Sequence, residues 1–496
     1  GGNAAFAATG GGTVEVCDEN PCNGAATGGL VNKLTTTTGT ALNVASTNIG
    51  AGNLEFRSIS AGTAASGPTN GIVVNNTGAS GGLKVKGTGV AGSGGTIQRA
   101  ATGISLTSTR SVSLASMQLN DFTDFAIRGS SVVNFTLDRT TINGTNGNDV
   151  AADEGSIRFT ELTGSATISN SSVSGAAEDN VAVVNTTGTL NRLTVDNTTI
   201  GANSTTTGGD GLFVEAQGSA VINATVQNSF FTSSRGDLAQ FTQGSTGSMD
   251  VVIQGTAFSD NHPAIVSGGG GVVVGGTNGS MTFNVTNNTF RDATGTALAI
   301  SCGNAGQSCV GRIENNQIGL AGTANSGSTG GSGIAVVSSG GGTLTALVNN
   351  NQVRQYNNHG ILLQAGQTLG NPTNFNVTVT GNTVSNPGAL NTNFNGIHLN
   401  NGTVPGESFT SCVDIRNNSI AGAGAGTVAP NNADYRLRQR QSTTVRLPGY
   451  GGANNNDAAV VGFVSGNQTS VTTGAASNTV GSGGGGFIGG ASCVTP

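Results

Sequence analysis

Tryptophan is absent from this 496-residue chain, tyrosine occurs three times, and charged residues make up 9% of the sequence. A sugar-binding groove of the usual stacked-aromatic kind therefore has few residues to draw on. Lysine is confined to Lys33, Lys84 and Lys86 and the formal net charge is −6, which argues against nucleic acid, a partner that wants a basic face. No run of about 18 apolar residues occurs, so nothing reads as a membrane-spanning helix. A Gly-x-Ser-x-Gly elbow, a phosphate-binding loop and a zinc signature are all missing. So are an initiating methionine and a signal peptide: the chain opens Gly1-Gly2-Asn3, as expected of a processed protein or of a piece of a longer polypeptide.

What is abundant is glycine, 83 residues of it, with a surplus of Asn, Thr and Ser. Such a composition often marks disorder, but here short β-branched runs recur at intervals, which disordered linkers lack. The phrase Val285-Thr286-Asn287-Asn288-Thr289-Phe290 is rewritten from Ile168, Val195, Val226, Ile253, Ile313, Val348, Val379 and Ile415, in steps of 27 to 36 residues. It alternates with a second phrase, a small residue followed by alternating apolar ones, as at Gly211-Leu212-Phe213-Val214 and Gly396-Ile397-His398-Leu399. A fixed phrase with a variable step is the signature of a solenoid with uneven loops. Short strands at this spacing predict an all-β, right-handed parallel β-helix of about a dozen coils. Ile, Val, Leu and Phe would stack inward while Thr, Ser and Asn face water. Gly and Asn would turn the corners, and Asn at matching corners could bond into a ladder.

The expected organisation has three parts. Residues 1–50 form first coils with no evident cap, residues 51–420 the β-helix, and residues 421–496 a C-terminal cap. An open first coil exposes apolar side chains and unpaired backbone, so either something else covers it or the solenoid continues. In the last part, Tyr435, Leu437 and Gln439 alternate with Arg436, Arg438 and Arg440 as in a strand with one charged face, and residues 457–464 read as a short helix with Asp457 as its N-cap. The six cysteines suggest three disulfides in an oxidising compartment: Cys17–Cys22 and Cys302–Cys309 as local staples, and Cys412–Cys493 clamping the cap. Metal binding is the rival reading, but no histidine or second CxxC accompanies either close pair.

The phrases Leu34-Thr-Thr-Thr-Thr-Gly-Thr-Ala-Leu-Asn-Val-Ala-Ser, Phe56-Arg-Ser-Ile-Ser and Arg436-Leu-Arg-Gln-Arg-Gln-Ser-Thr-Thr-Val-Arg-Leu-Pro-Gly-Tyr carry a family resemblance. The chain resembles bacterial surface and secreted proteins with right-handed β-helix repeats of the pectin-lyase-like type, large adhesin-like proteins among them. The resemblance implies a segment of a very long polypeptide. It brings no catalytic motif, and a shared fold does not supply a function.

Three groups of residues could carry chemistry. Asp124, Glu154, Asp179, Asp210 and Asp237 fall near equivalent corners of successive coils. Acids stacked in this way would raise one another's pKa or recruit calcium, and on Asp210 and Asp237 could rest a polysaccharide lyase or hydrolase. The alternative is that they are turn residues. Among His262, His359 and His398, the last two fall one coil apart, where they could bind metal or act as a base. Arg436, Arg438, Arg440 and Arg446 could contact an acidic glycan or anionic surface, or else pair with carbonyls and acids at the capped end. The leading functional expectation is an exported, non-enzymatic scaffold of a cell surface or extracellular layer that stacks on itself axially into filaments. The alternatives are an adhesin for glycans or cells, and a polysaccharide-cleaving enzyme.

Overall fold

The computed structural model describes residues 3–17, 32–261, 269–304, 306–367, 374–480 and 485–496. The chain divides into two compact units, Gly1–Gly236 and Asp237–Pro496. Each is a parallel β-helix, the architecture expected from the repeated phrases. Among the described residues no helix is long and apolar enough to cross a membrane.

In the first unit the strands Leu42–Ala45, Asn70–Asn75, Thr102–Ala115, Phe125–Asp138, Ile157–Ser169, Val181–Asn185 and Leu212–Ala216 pair in succession, all parallel. Ile72, Ile104, Ile127, Ile157, Val181 and Leu212 are register partners from coil to coil and lie buried. Each such side chain withdrawn from water contributes about 1.5–3 kcal/mol. A separate stack runs through Lys33–Thr36, Ser58–Ala61 and Gly95–Gln98, then Met117–Phe122 and Thr141–Asn146. Alternation along each strand sorts the faces: in Leu212–Ala216 the first, third and fifth residues are buried and the others half-exposed.

The second unit repeats the plan. Val272, Leu298, Ile334, Ile361, Ile397 and Tyr435 form one inward column. Met281, Phe283 and Val285 face Cys309, Gly311 and Ile313 in another. Gly311 is required where it stands, because a Cβ there would sit 2.5 Å from ring carbons of Phe283.

The corners explain the repeated phrase. Its first Asn is the turn residue: Asn170, Asn197, Asn228, Asn287, Asn315, Asn350 and Asn417 all adopt φ between 46° and 59°, the left-handed region that Asn tolerates best after Gly. The residue after it points inward and bonds along the axis. In the second unit Asn288, Asn316, Asn351, Asn382 and Asn418 each donate both backbone N–H and side-chain amide to the carbonyl oxygen of the next amide side chain, ending on Gln468. In the first unit hydroxyls do the same work more simply. The N–H of Thr140 donates to Ser171 Oγ, that of Ser171 to Thr198 Oγ1 and that of Thr198 to Ser229 Oγ. Every buried polar side chain in these rows is therefore satisfied by its neighbour.

The two ends differ. In the first coil, Phe6–Thr9, Thr13–Val16 and Lys33–Thr36 contain no buried residue, whereas Leu42 and Val44 one coil later are fully buried. Residues 421–496 are less of a separate cap than the sequence suggests: Tyr435–Gln441 and Gly474–Val480 continue the parallel pairing of Ile397–Asn401. The capping element within them is the helix Asp457–Gly466, which buries Val460 and Val464 and receives a hydrogen bond from Tyr435 Oη at the Val461 carbonyl. Its N-cap is Asn456, not Asp457. The Asn456 side chain accepts the N–H of Ala459, and Asp457 falls in the first turn, where its charge favours the positive end of the helix.

Disulfides join Cys302 to Cys309 and Cys412 to Cys493. The expected Cys17–Cys22 staple includes Cys22, which lies outside the described residues, as does His262.

Candidate functional site

Four of the five acids in the row turn a carboxylate oxygen on a nearby donor. Glu154 turns its carboxylate into its own loop, accepting the N–H groups of Asn148 and Asp149 at 2.8 Å each. Across to the next coil its carbonyl accepts the N–H of Glu178, not of Asp179. Asp179 instead accepts the N–H of Asp210 at 2.6 Å, and in the second unit Asp237 accepts that of Gly270 at 2.5 Å. Asp124 accepts the hydroxyl of Thr123. These are turn duties: carboxylates that satisfy backbone N–H groups, or in Asp124 a hydroxyl, where the chain changes direction.

What the register does bring together is a smaller acid cluster that the spacing concealed. Burial, with Asp179 and Asp153 nearby, pushes Glu178 up to about 7. Burial likewise raises Asp179 to about 6, against the pull of the Asp210 N–H and Arg158. Arg158 is itself committed to Asp153 at 2.6 Å. The adjacent Glu178-Asp179 pair was the available signal in the sequence, and only the coil register says which of the two meets Glu154. Among the described residues no group of three or more His, Cys, Asp or Glu side chains could hold a metal ion.

The histidines do come together. His359 and His398 stack at 4.3 Å between ring centroids, and His359 meets the ring of Phe394 edge-on at 5.2 Å. His359 Nδ1 accepts the N–H of Asn395, so it carries no proton there. Burial lowers the pKa of His359 to about 4, and that of His398 falls well below its ordinary 6.5 through burial, then His359 and the neighbouring arginines. Both imidazoles are neutral at pH 7, which suits a packed pair.

The arginine strand stands immediately beside them, with His398 the register partner of Arg436. In Tyr435–Gln441 the residues Tyr435, Leu437 and Gln439 are buried while Arg436, Arg438 and Arg440 are half-exposed, the alternation expected. Their partners are not the expected acids. Arg436 donates to the side-chain oxygen of Asn431 at 2.5 Å and Arg440 to that of Asn400 at 2.8 Å. Arg446 lies apart from this row, donating to Cys412 Sγ. Burial and the charge of Arg438 lower the pKa of both Arg436 and Arg440, the consequence of aligning like charges on one face.

No family model, curated protein or solved structure matches the chain.

Proposed function

We propose that this chain is an exported, non-enzymatic scaffold built of β-helical coils, belonging to a cell surface or extracellular layer. One observation carries the reading: several of the side chains that could do chemistry are occupied in holding corners. Glu154, Asp179 and Asp237 spend carboxylate oxygens on backbone N–H groups, and His359 spends its Nδ1 in the same way. A catalytic acid or base needs its proton-accepting atom free to face substrate. The two disulfides fit an oxidising compartment.

The half-exposed inward residues of the first coil favour assembly through that end, by stacking of further coil of the same pitch upon it. A second copy would serve as that further coil and would give open-ended filaments, since such a head-to-tail contact does not close. Negative-stain electron microscopy of material isolated without denaturant tests the reading. Regular filaments that disappear on deletion of residues 1–17 are expected. Isolated particles that depolymerise an acidic or neutral polysaccharide would overturn it in favour of an enzyme.

A further inference from the structure

We infer that the outward face of the strand Tyr435–Gln441 is a calcium-independent binding site for a carboxylated glycan. Here the chain sets charge that no carboxylate touches. Arg436, Arg438 and Arg440 project from one face of one strand, alternate residues about 6.8 Å apart. Among the described residues none of the three has a carboxylate within 4.0 Å, although ion pairs form elsewhere, as at Arg158–Asp153 and Lys86–Glu55. Glu407 pulls on Arg440 from beyond contact distance, but in a chain of net charge −6 three aligned cations, none touching a carboxylate, cost stability unless an outside anion offsets them.

The surroundings hold these cations in place without neutralising them. The amide oxygens of Asn431 and Asn400 fix the outer two guanidinium groups and bring no charge. The side-chain N–H at Nε of Arg436 and of Arg440 is buried and has no acceptor. On the two preceding coils the stacked imidazoles of His398 and His359 add bulk but, being neutral, no counter-ion. Guanidinium groups fixed in a row match planar carboxylates, which they bind in bidentate fashion. The flanking amides Asn400 and Asn431 and the hydroxyl of Ser477, the register partner of Arg438 on the next coil, offer hydrogen bonds to sugar hydroxyls.

Two other polyanions fit less well. A nucleic acid would meet an overall negative protein and a strand whose aromatic residue, Tyr435, faces inward and is fully buried, leaving nothing outward on that strand for a base to stack on. An anionic bilayer calls for a longer basic surface or an apolar insertion beside it. The site also differs in kind from the acidic corners of the first unit, since it needs no metal to bind a carboxylate.

The test compares polygalacturonate with its methyl-esterified, uncharged form on the full chain, by affinity electrophoresis at low and physiological salt. Retention by polygalacturonate is expected, with none by the ester, and EDTA should leave it unchanged. Arg438→Gln should weaken retention about tenfold, and Arg438→Lys by less. Among the described residues the Arg438 side chain makes no hydrogen bond, so unchanged melting of both variants confirms that the fold is intact. Equal retention by the ester, release by EDTA, or full retention in Arg438→Gln would overturn the inference. So would retention of a single-stranded oligonucleotide or of phosphatidylserine vesicles in place of polygalacturonate, each assigning the strip to a different class of partner. A negative result leaves the scaffold reading standing, because filament formation is read independently.

Discussion

Asn351 shows how much one residue of the ladder does. Its Oδ1 accepts the N–H and side-chain amide of Asn316, while its own amide donates to Asn382 and to the carbonyl of Ile313. All of this is buried, so Asn351→Ala strands donors and an acceptor on the preceding coil and an acceptor on the following one. Chemical denaturation should register a loss of about 3 kcal/mol, more than one average hydrogen bond contributes, because unsatisfied partners remain. Glu178 makes a prediction of the opposite character. Its folded-state pKa of about 7 lies above the ordinary 4.5, so the folded chain binds the proton more tightly than the unfolded one. Stability contributed by that proton is complete below pH 4.5 and is lost as the pH rises towards 7. Melting temperatures of Glu178→Gln and the parent, compared from pH 4 to 8, should diverge in favour of the variant across that window. His359 acts in the reverse sense, its lowered pKa costing stability as the pH falls from 6.5 to 4, and Glu178→Gln should leave that limb unaltered.

At the scale of elements, strands were far easier to read in the sequence than their alignment. The period-two pattern of Tyr435–Gln441 and the left-handed propensity of Asn287 and its equivalents are local properties, written into a few consecutive residues. Register is not local. Whether Glu154 meets Glu178 or Asp179 depends on the loop between them, and a one-residue slip sends a side chain to the other face. For the same reason the arginines were visible as a charged face, whereas their amide partners Asn431 and Asn400 were not: one lies in the preceding loop and the other a full coil away. At the C-terminal end the short helix was legible as well, and burial of Val460 and Val464 seats it. That helix contains Gly462, with nothing within 4 Å of where a Cβ would lie. Gly462→Ala should therefore raise stability by about 0.5–1 kcal/mol through backbone entropy alone, measurable as an increased melting temperature.

At the scale of the molecule, the C-terminal coils are closed covalently. The Cys412–Cys493 bond spans 81 residues, a loop long enough that its removal in a Cys412→Ser, Cys493→Ser double variant should cost about 4 kcal/mol on the chain-entropy account. Thermal melting with and without reductant checks it: reduction should cost the parent clearly more stability than it costs the double variant. Reduction acts also on Cys302–Cys309, but that bond closes only seven residues and restricts the unfolded chain less. The amide rows carry a different consequence, for how such a protein changes length over evolutionary time. Each rung meets only its two neighbours and all rungs are chemically alike, so a segment running from one rung to the next can be duplicated or lost in a single genetic event and the flanking rungs will re-join. A fraction of such a segment cannot, because the inward and outward sides would exchange. Growth by whole turns is thus the one inexpensive route open to this architecture, and the uneven 27-to-36-residue steps are the record of loops varying freely while the rungs stay in line.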